Sequence, residues 1–380
     1  MKIMHVTKRY PDAAGGDAFV VQGLEREQIA VGHEVTVLTS RSPEIKKLDH
    51  VIQFGFLLKS TEIDSINHKR IATLLLLTVR GFGLLRRTRP DVIHAHSTDL
   101  GFALSLGARW YRIPRVITLH GTSIGKNACP RLKRLLETVL LRAGGYRLII
   151  NIDPTAGSSL EALGFGGRLE YVPNGIFAGE FAYDDSTATQ IADDLTPTIL
   201  AVGRLEMVKG MTFLLQAFSK VACGESRAQL VIAGHGSLES LLRAEARELG
   251  IDGSVAFVGQ RSRAEIGDLY RRATILVLPS LHEGFPLVLL EAWAHALPVV
   301  VTNVGAVPYV CVSGVDSLVV EPANPEMLAS ALKRLLGDPS LRAKLGAAGR
   351  GRVDGEFDQK KIATRVLEIY ERVQRDAAQH

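Results

Sequence analysis

The stretch "TILVLPSLHEGFPLVLLEAWAHALPVVVT" (residues 274–302) contains a β-branched run, a turn bearing Gly284 and Pro286, an apolar helical stretch and a second β-branched run. Neither β-branched run alternates with polar residues, as expected of strands buried on both faces of a parallel sheet. Gly284 and Pro286 mark the turn, and Pro286 suits the first turn of a helix. Two carboxylates interrupt this apolar unit, Glu283 at its mouth and Glu291 eight positions on. A buried carboxylate without a partner is costly, so each needs a hydrogen-bonding group.

Working outward, the same unit recurs. Residues 2–7 form a short strand, followed by the loop "PDAAGGDAF", a helical stretch (19–32) and the strand "HEVTVLTS". "DVIHAHS" (91–97) and "PRVITLHGT" (114–122) are strands flanking a helix, and "YRLIINI" and "RLEYVPNG" complete the first half. The polar segment 181–197 breaks the pattern, which restarts with "TPTILAVGR", "AQLVIAGHG" and "VAFVG" before reaching the opening stretch. Alternation of this kind predicts an α/β fold of two Rossmann-like α/β/α domains. The expected division is 1–180, a linker at 181–196, 197–355, and a C-terminal helix in 356–380 packing back on the first domain. Ligands of open parallel sheets bind beyond the carboxyl ends of the strands, so two such domains facing each other would hold a cleft.

A chain of 380 residues suits two domains, and 46% hydrophobic with 22% charged residues describes a globular protein. Three scattered cysteines, Cys129, Cys223 and Cys311, follow no metal or disulfide spacing and point to a reducing, cytoplasmic setting. The start "MKIMHVTKRYPD" has too short an apolar run for a signal peptide, and "IATLLLLTV" (71–79) is far below membrane-spanning length. The net charge of +5 admits anionic partners. Nucleic acid is not among those expected, for want of a recognition motif. The basic, apolar segment 68–90 reads either as a helix lying on an anionic membrane surface, at the inner membrane face, or as an ordinary core-facing helix.

Four clusters carry candidate chemistry. In "AVGRLEMVKG" (201–210), Arg204 and Lys209 lie between a strand end and a helix start, where they form an anion site or stand as solvated loop cations. In the opening stretch, the amides of Gly284, Phe285 and Leu287 are candidates for a second anion contact. Glu283 and Glu291 suit hydroxyl groups at two ends of a long ligand; for Glu291 the alternative is a structural salt bridge, with His295 one turn on. Gly15 and Gly16 permit close backbone approach or a tight turn. His94 and His96, two apart on a strand, point the same way as a metal pair would, but no third ligand is visible, so core or cleft histidines are the better reading. His120, at a strand's carboxyl end, is a cleft candidate.

Taken together, "GRLEMVKG", "EGFPLVLLE", "VPNG", "AGHG" and the early "GG" resemble the retaining glycosyltransferases of the GT-B fold, family 4 (glycosyl transferases group 1). The resemblance implies transfer of a hexose-type sugar from a UDP- or GDP-linked donor to a glycan, glycolipid or small-molecule acceptor. It implies no metal and no cofactor beyond the nucleotide-sugar co-substrate. Arg204 and Lys209 would hold the leaving diphosphate with the 284–287 amides, and Gly16 would approach from the facing domain. Glu283 would bind donor-sugar hydroxyls and Glu291 the ribose diol. The base would rest near Val258 in "FVGQR", Asn174 lies in the "VPNG" motif, and His120 would meet the transferred sugar. The chain departs from the family in lacking an aspartate after "PNG", in carrying Pro286 where glycine is common, and in reading "SGVDS" at 313–317. The competing reading is a catalytically silent GT-B protein that serves another enzyme as a binding partner.

Overall fold

The computed structural model describes residues 1–10, 16–42, 48–56, 68–122, 124, 131–177, 179, 196–222 and 227–379. The chain forms two compact units, Met1–Gly175 with Gln359–His380, and Ile176–Asp358. The expected linker 181–196 lies almost wholly outside the described residues, as does Gly15.

The first unit is built on seven strands: β1 (Lys2–Thr7), β2 (Glu34–Ser40), β3 (Val51–Phe54), β4 (Val92–Ala95), β5 (Arg115–Leu119), β6 (Leu148–Asn151) and β7 (Leu169–Tyr171). They form one sheet in the order β3-β2-β1-β4-β5-β6-β7, with every pairing parallel. The order reverses between β1 and β4, and such a switch point leaves a crevice at the strands' carboxyl ends. Every residue of β4, β5 and β6 is buried, which is why these runs carry no alternating polar residues.

Helices His68–Thr88, Thr98–Trp110 and Arg131–Gly144 lie side by side, the middle one packed between the other two. Leu77, Leu84, Leu85, Leu100 and Leu104 form the core beneath them. Their outer sides are unusual, because Val79, Trp110 and Leu132 are 74%, 76% and 75% exposed. The helix Gln359–Ala378 packs on the helix Gly16–Ala30, burying Tyr370 completely. At its outer side Arg372 and Arg365 pair with Glu170.

The second unit has six strands: β8 (Thr198–Val202), β9 (Gln229–Ala233), β10 (Val255–Gly259), β11 (Ile275–Leu278), β12 (Val299–Thr302) and β13 (Leu318–Val320). Their order is β10-β9-β8-β11-β12-β13, again wholly parallel. Renumbered within the unit this is the 3-2-1-4-5-6 Rossmann order, with the switch point between β8 and β11. Its core joins β8, β9, β11 and β12 to Leu214, Phe218 and Leu332 of the covering helices. No helix among the described residues is long and apolar enough to cross a membrane.

Candidate active site

The switch point of the second unit brings two of the sequence clusters together. The loop after β8 carries Arg204 and Lys209, and the loop after β11 carries Ser280 and Glu283. Backbone hydrogen bonds tie the two loops: Leu281 N–H donates to the Val208 carbonyl at 2.8 Å. The Thr302 hydroxyl, from β12, donates to the Ser280 carbonyl at 2.5 Å. Gly210 (φ +63°) must be glycine, because a Cβ there would stand 2.1 Å from the Pro279 carbonyl oxygen. At Gly305 (φ +55°) a Cβ would come closer still, 1.6 Å from the Glu283 carbonyl oxygen. The loops are thus fixed by backbone packing and the Thr302 hydroxyl before any charged side chain is considered.

On this frame the Lys209 ammonium pairs with the Glu283 carboxylate, both side chains largely buried. The Ser280 hydroxyl donates to the same Oε1 at 2.7 Å. Arg204 is exposed at the end of β8. The guanidinium makes no hydrogen bond or ion pair among the described residues, so its fork is available for an anion.

The glutamate expected deeper in the helix also has its partner. The Tyr270 hydroxyl donates to Glu291 Oε2 at 2.7 Å. Burial pushes the Glu291 carboxyl up from its ordinary range, against the pull of Tyr270 and Arg263. The alternative salt bridge to His295 does not form. His295 instead bonds the Glu291 backbone carbonyl through Nδ1 at 2.8 Å and stacks on Tyr270, ring centroids 5.1 Å apart.

Two expectations about the turn need correction. The helix runs from Leu287 to Ala294, so Pro286 precedes it rather than occupying its first turn. Pro286 has φ −83° and ψ 89°, and Leu287 N–H donates to the Phe285 carbonyl at 3.1 Å. This is an inverse γ-turn, which spends the Leu287 amide internally. The Gly284 and Phe285 amides remain available for an anion. Val258 falls where the β9–β10 register shifts, so a bulge reaims the backbone at the sheet's edge. The adjacent Phe257 ring lies under the Arg243 guanidinium, 4.7 Å from the centroid.

In the first unit the histidines gather at the other switch point. His94 and His96 do have a third neighbour, His5 on β1, with one ring nitrogen of each within 4.8 Å of the others. These residues nevertheless fit a metal poorly, because every nitrogen of the three rings is already engaged. His5 bonds His96 at 2.9 Å and Gln28 at 2.8 Å. His94 bonds the Tyr370 hydroxyl at 2.5 Å and Thr118 at 2.7 Å, while the other nitrogen of His96 meets His120 at 2.9 Å. Burial lowers the basicity of His5 to about 4, partly offset by Gln28. It pushes His94 and His96 well down, with further lowering from neighbouring imidazoles. His120 is lowered by burial and partly restored by Asp17. Gly16 is exposed at the start of its helix, and Asn174 is buried just beyond β7.

Two family models match the chain, "Glycosyltransferase Family 4" over residues 14–178 and "Glycosyl transferases group 1" over 185–352. A D-inositol 3-phosphate glycosyltransferase of Frankia alni is 30% identical over 387 residues, spanning 94% of each chain. The chain belongs to the group 1 glycosyltransferases. A glycogen synthase of Mycobacterium tuberculosis is 28% identical over 400 residues, covering 97% of this chain and 94% of that one. Among solved structures, sucrose-phosphate synthase of Thermosynechococcus elongatus superposes with a TM-score of 0.83 over 98% of each chain at 23% identity, which establishes the shared GT-B fold.

Within this glycosyltransferase, Ser280, Tyr270, Gln28 and His5 were not singled out by sequence reasoning. Ser280 stands three residues before Glu283 and was within reach of a local reading. Tyr270, Gln28 and His5 meet their partners across long separations in sequence, and no spacing rule signals such pairs.

Proposed function

We propose that this group 1 glycosyltransferase is a retaining enzyme that moves a hexose-type sugar from a UDP- or GDP-linked donor to a hydroxyl of a glycan, glycolipid or small-molecule acceptor, without a metal. The observation that carries this reading is the frame at the β8/β11 switch point. It carries the Arg204 fork on the loop after β8, the Lys209–Glu283 pair that joins this loop to the one after β11, and the unspent amides of Gly284 and Phe285 on the latter loop. In the proposed reaction the bond from the anomeric carbon to the diphosphate breaks and a bond to the acceptor oxygen forms on the same face. The acceptor proton passes to the departing diphosphate. Arg204, Lys209 and the two amides stabilise the charge that develops there, a preorganised electrostatic contribution. Glu283 accepts hydrogen bonds from donor-sugar hydroxyls, Glu291 from the ribose diol, and the backbone around Val258 borders the base. His120 is assigned to the transferred sugar.

Calorimetry against UDP, GDP and ADP with EDTA present tests the site. Tight, metal-free binding of UDP or GDP is expected, followed by an NMR assay of the product's anomeric configuration. Binding of none of them overturns the reading and moves the silent-partner reading ahead, whereas a product of inverted configuration overturns the retaining assignment and leaves the transferase.

Exposed apolar stripes on the first unit support a membrane setting for the acceptor. In Arg131–Gly144, Leu132, Leu135, Leu136 and Val139 follow the spacing of a core-facing stripe yet are exposed. Ile71, Leu75 and Val79 form a second exposed stripe on His68–Thr88, a helix that contains no acidic residue. Lys133, Arg134, Arg86 and Arg87 flank these stripes. An apolar face with a basic border complements an anionic membrane surface, where each lysine or arginine contributes ~1 kcal/mol. Flotation should carry the protein with phosphatidylglycerol vesicles but not phosphatidylcholine vesicles, and Leu135→Glu should reduce it. Equal behaviour with both lipids, or a dimer in solution that Leu135→Glu dissolves, rules out the membrane as the partner of this face.

A further inference from the structure

The histidines of the first unit form an ordered file rather than a cluster. From the helix Gly16–Ala30, Gln28 turns its carbonyl oxygen to His5 Nε2 at 2.8 Å. His5 Nδ1 meets His96 Nε2 at 2.9 Å, and His96 Nδ1 meets His120 Nε2 at 2.9 Å. The rings overlap as they go: His5 with His96 at 5.2 Å and 29°, His96 with His120 at 5.1 Å and 24°. His94 closes the side of the file, 4.1 Å from the His96 ring. It is itself held between Tyr370 and Thr118.

We propose that Gln28, His5 and His96 are positioning residues that set the tautomer of His120, keeping Nε2 protonated and Nδ1 as a lone-pair acceptor. A neutral imidazole carries one N–H and one lone pair, and a carboxamide oxygen only accepts. Gln28 therefore requires the His5 proton on Nε2, which leaves His5 Nδ1 as an acceptor. His96 must then donate through Nε2 and accept at Nδ1. His120 must in turn donate through Nε2. One polar end, fixed by Gln28, is thus passed across three strands to the half-buried ring at the end of β5. Burial keeps His5 and His96 neutral, as the file requires. Asp17, the charged group acting on His120, opposes the effect of burial there without reversing it.

The consequence for recognition rests on the reading that His120 meets the transferred sugar. A bare Nδ1 accepts from a sugar hydroxyl and repels a carboxylate at the same place. The file thus favours a neutral hexose over a uronic acid.

The test is the long-range proton–nitrogen correlation spectrum of protein labelled with [15N]histidine, at pH 7.5 and without ligand. His120 is assigned by the signals lost in His120→Asn. Nε2 should appear protonated and Nδ1 unprotonated. The reverse pattern, or a ring averaging between tautomers, overturns the proposal. In Gln28→Met, with folding checked by circular dichroism, the His120 signals should move to tautomer averaging. Unchanged signals in a folded Gln28→Met would show that something else sets the tautomer. A correct spectrum combined with unaltered kcat/KM in His120→Asn would refute the sugar-contact role of His120 and leave the file standing.

Discussion

Replacing Glu283 with alanine should lower kcat/KM by about 10²–10⁴-fold while changing the Kd for the nucleoside diphosphate less than about threefold. The estimate follows from the loss of two hydrogen bonds between a carboxylate and sugar hydroxyls, each contributing ~1.5–3 kcal/mol. The nucleoside diphosphate has no sugar at that position, so its binding does not register the loss. The substitution also removes the acceptor of both Lys209 and Ser280. Lys209 stays beside the diphosphate because its loop is held by backbone bonds, including Leu281 to Val208. Calorimetry and initial rates on the same preparation decide the point. A Kd that weakens in step with kcat/KM would mean that Glu283 serves the phosphates, directly or through Lys209.

Arg204→Ala should act on both quantities. Loss of a bidentate guanidinium contact is expected to weaken nucleoside diphosphate binding by about 10²-fold, or ~2.7 kcal/mol, and to lower turnover as well. Stability should move by no more than about 0.5 kcal/mol, because the Arg204 side chain is exposed and makes no hydrogen bond or ion pair among the described residues. Thermal melting alongside the titration separates the two effects. Unaltered binding with reduced melting temperature would make Arg204 a structural residue and leave the anion site to Lys209 and the amides.

The parts of this molecule that were legible in its sequence are those governed by local physics. The strands at 2–7, 34–40 and 299–302 announce themselves as apolar runs, and the breaks at Gly284 and Pro286 mark the turn that carries Glu283. The placement of Arg204 and Lys209 after a strand follows from the same periodicity. What was hidden depends on contacts between distant segments. Lys209 and Glu283 are 74 positions apart, His5 and His96 are 91 apart, and His94 meets Tyr370 across 276. No propensity or spacing connects such pairs. The outward stripe of Arg131–Gly144 was hidden for another reason: its leucine spacing is that of a buried face, and only packing shows which way the stripe points.

The return of the chain to its first unit has a consequence for how the protein is made. The first unit begins at Met1 but includes Gln359–His380, and Tyr370 supplies the hydroxyl that holds His94. On the ribosome, N-terminal domains ordinarily fold as they emerge. Here the unit synthesised first must wait for Gln359–His380, translated only after the whole of the second unit, which has all its strands in one continuous segment. The folding order is therefore inverted relative to synthesis. A gene fragment ending at Gly175 encodes an open core, whereas a rearranged gene that places Gln359–His380 ahead of Met1 encodes the whole first unit as one uninterrupted chain.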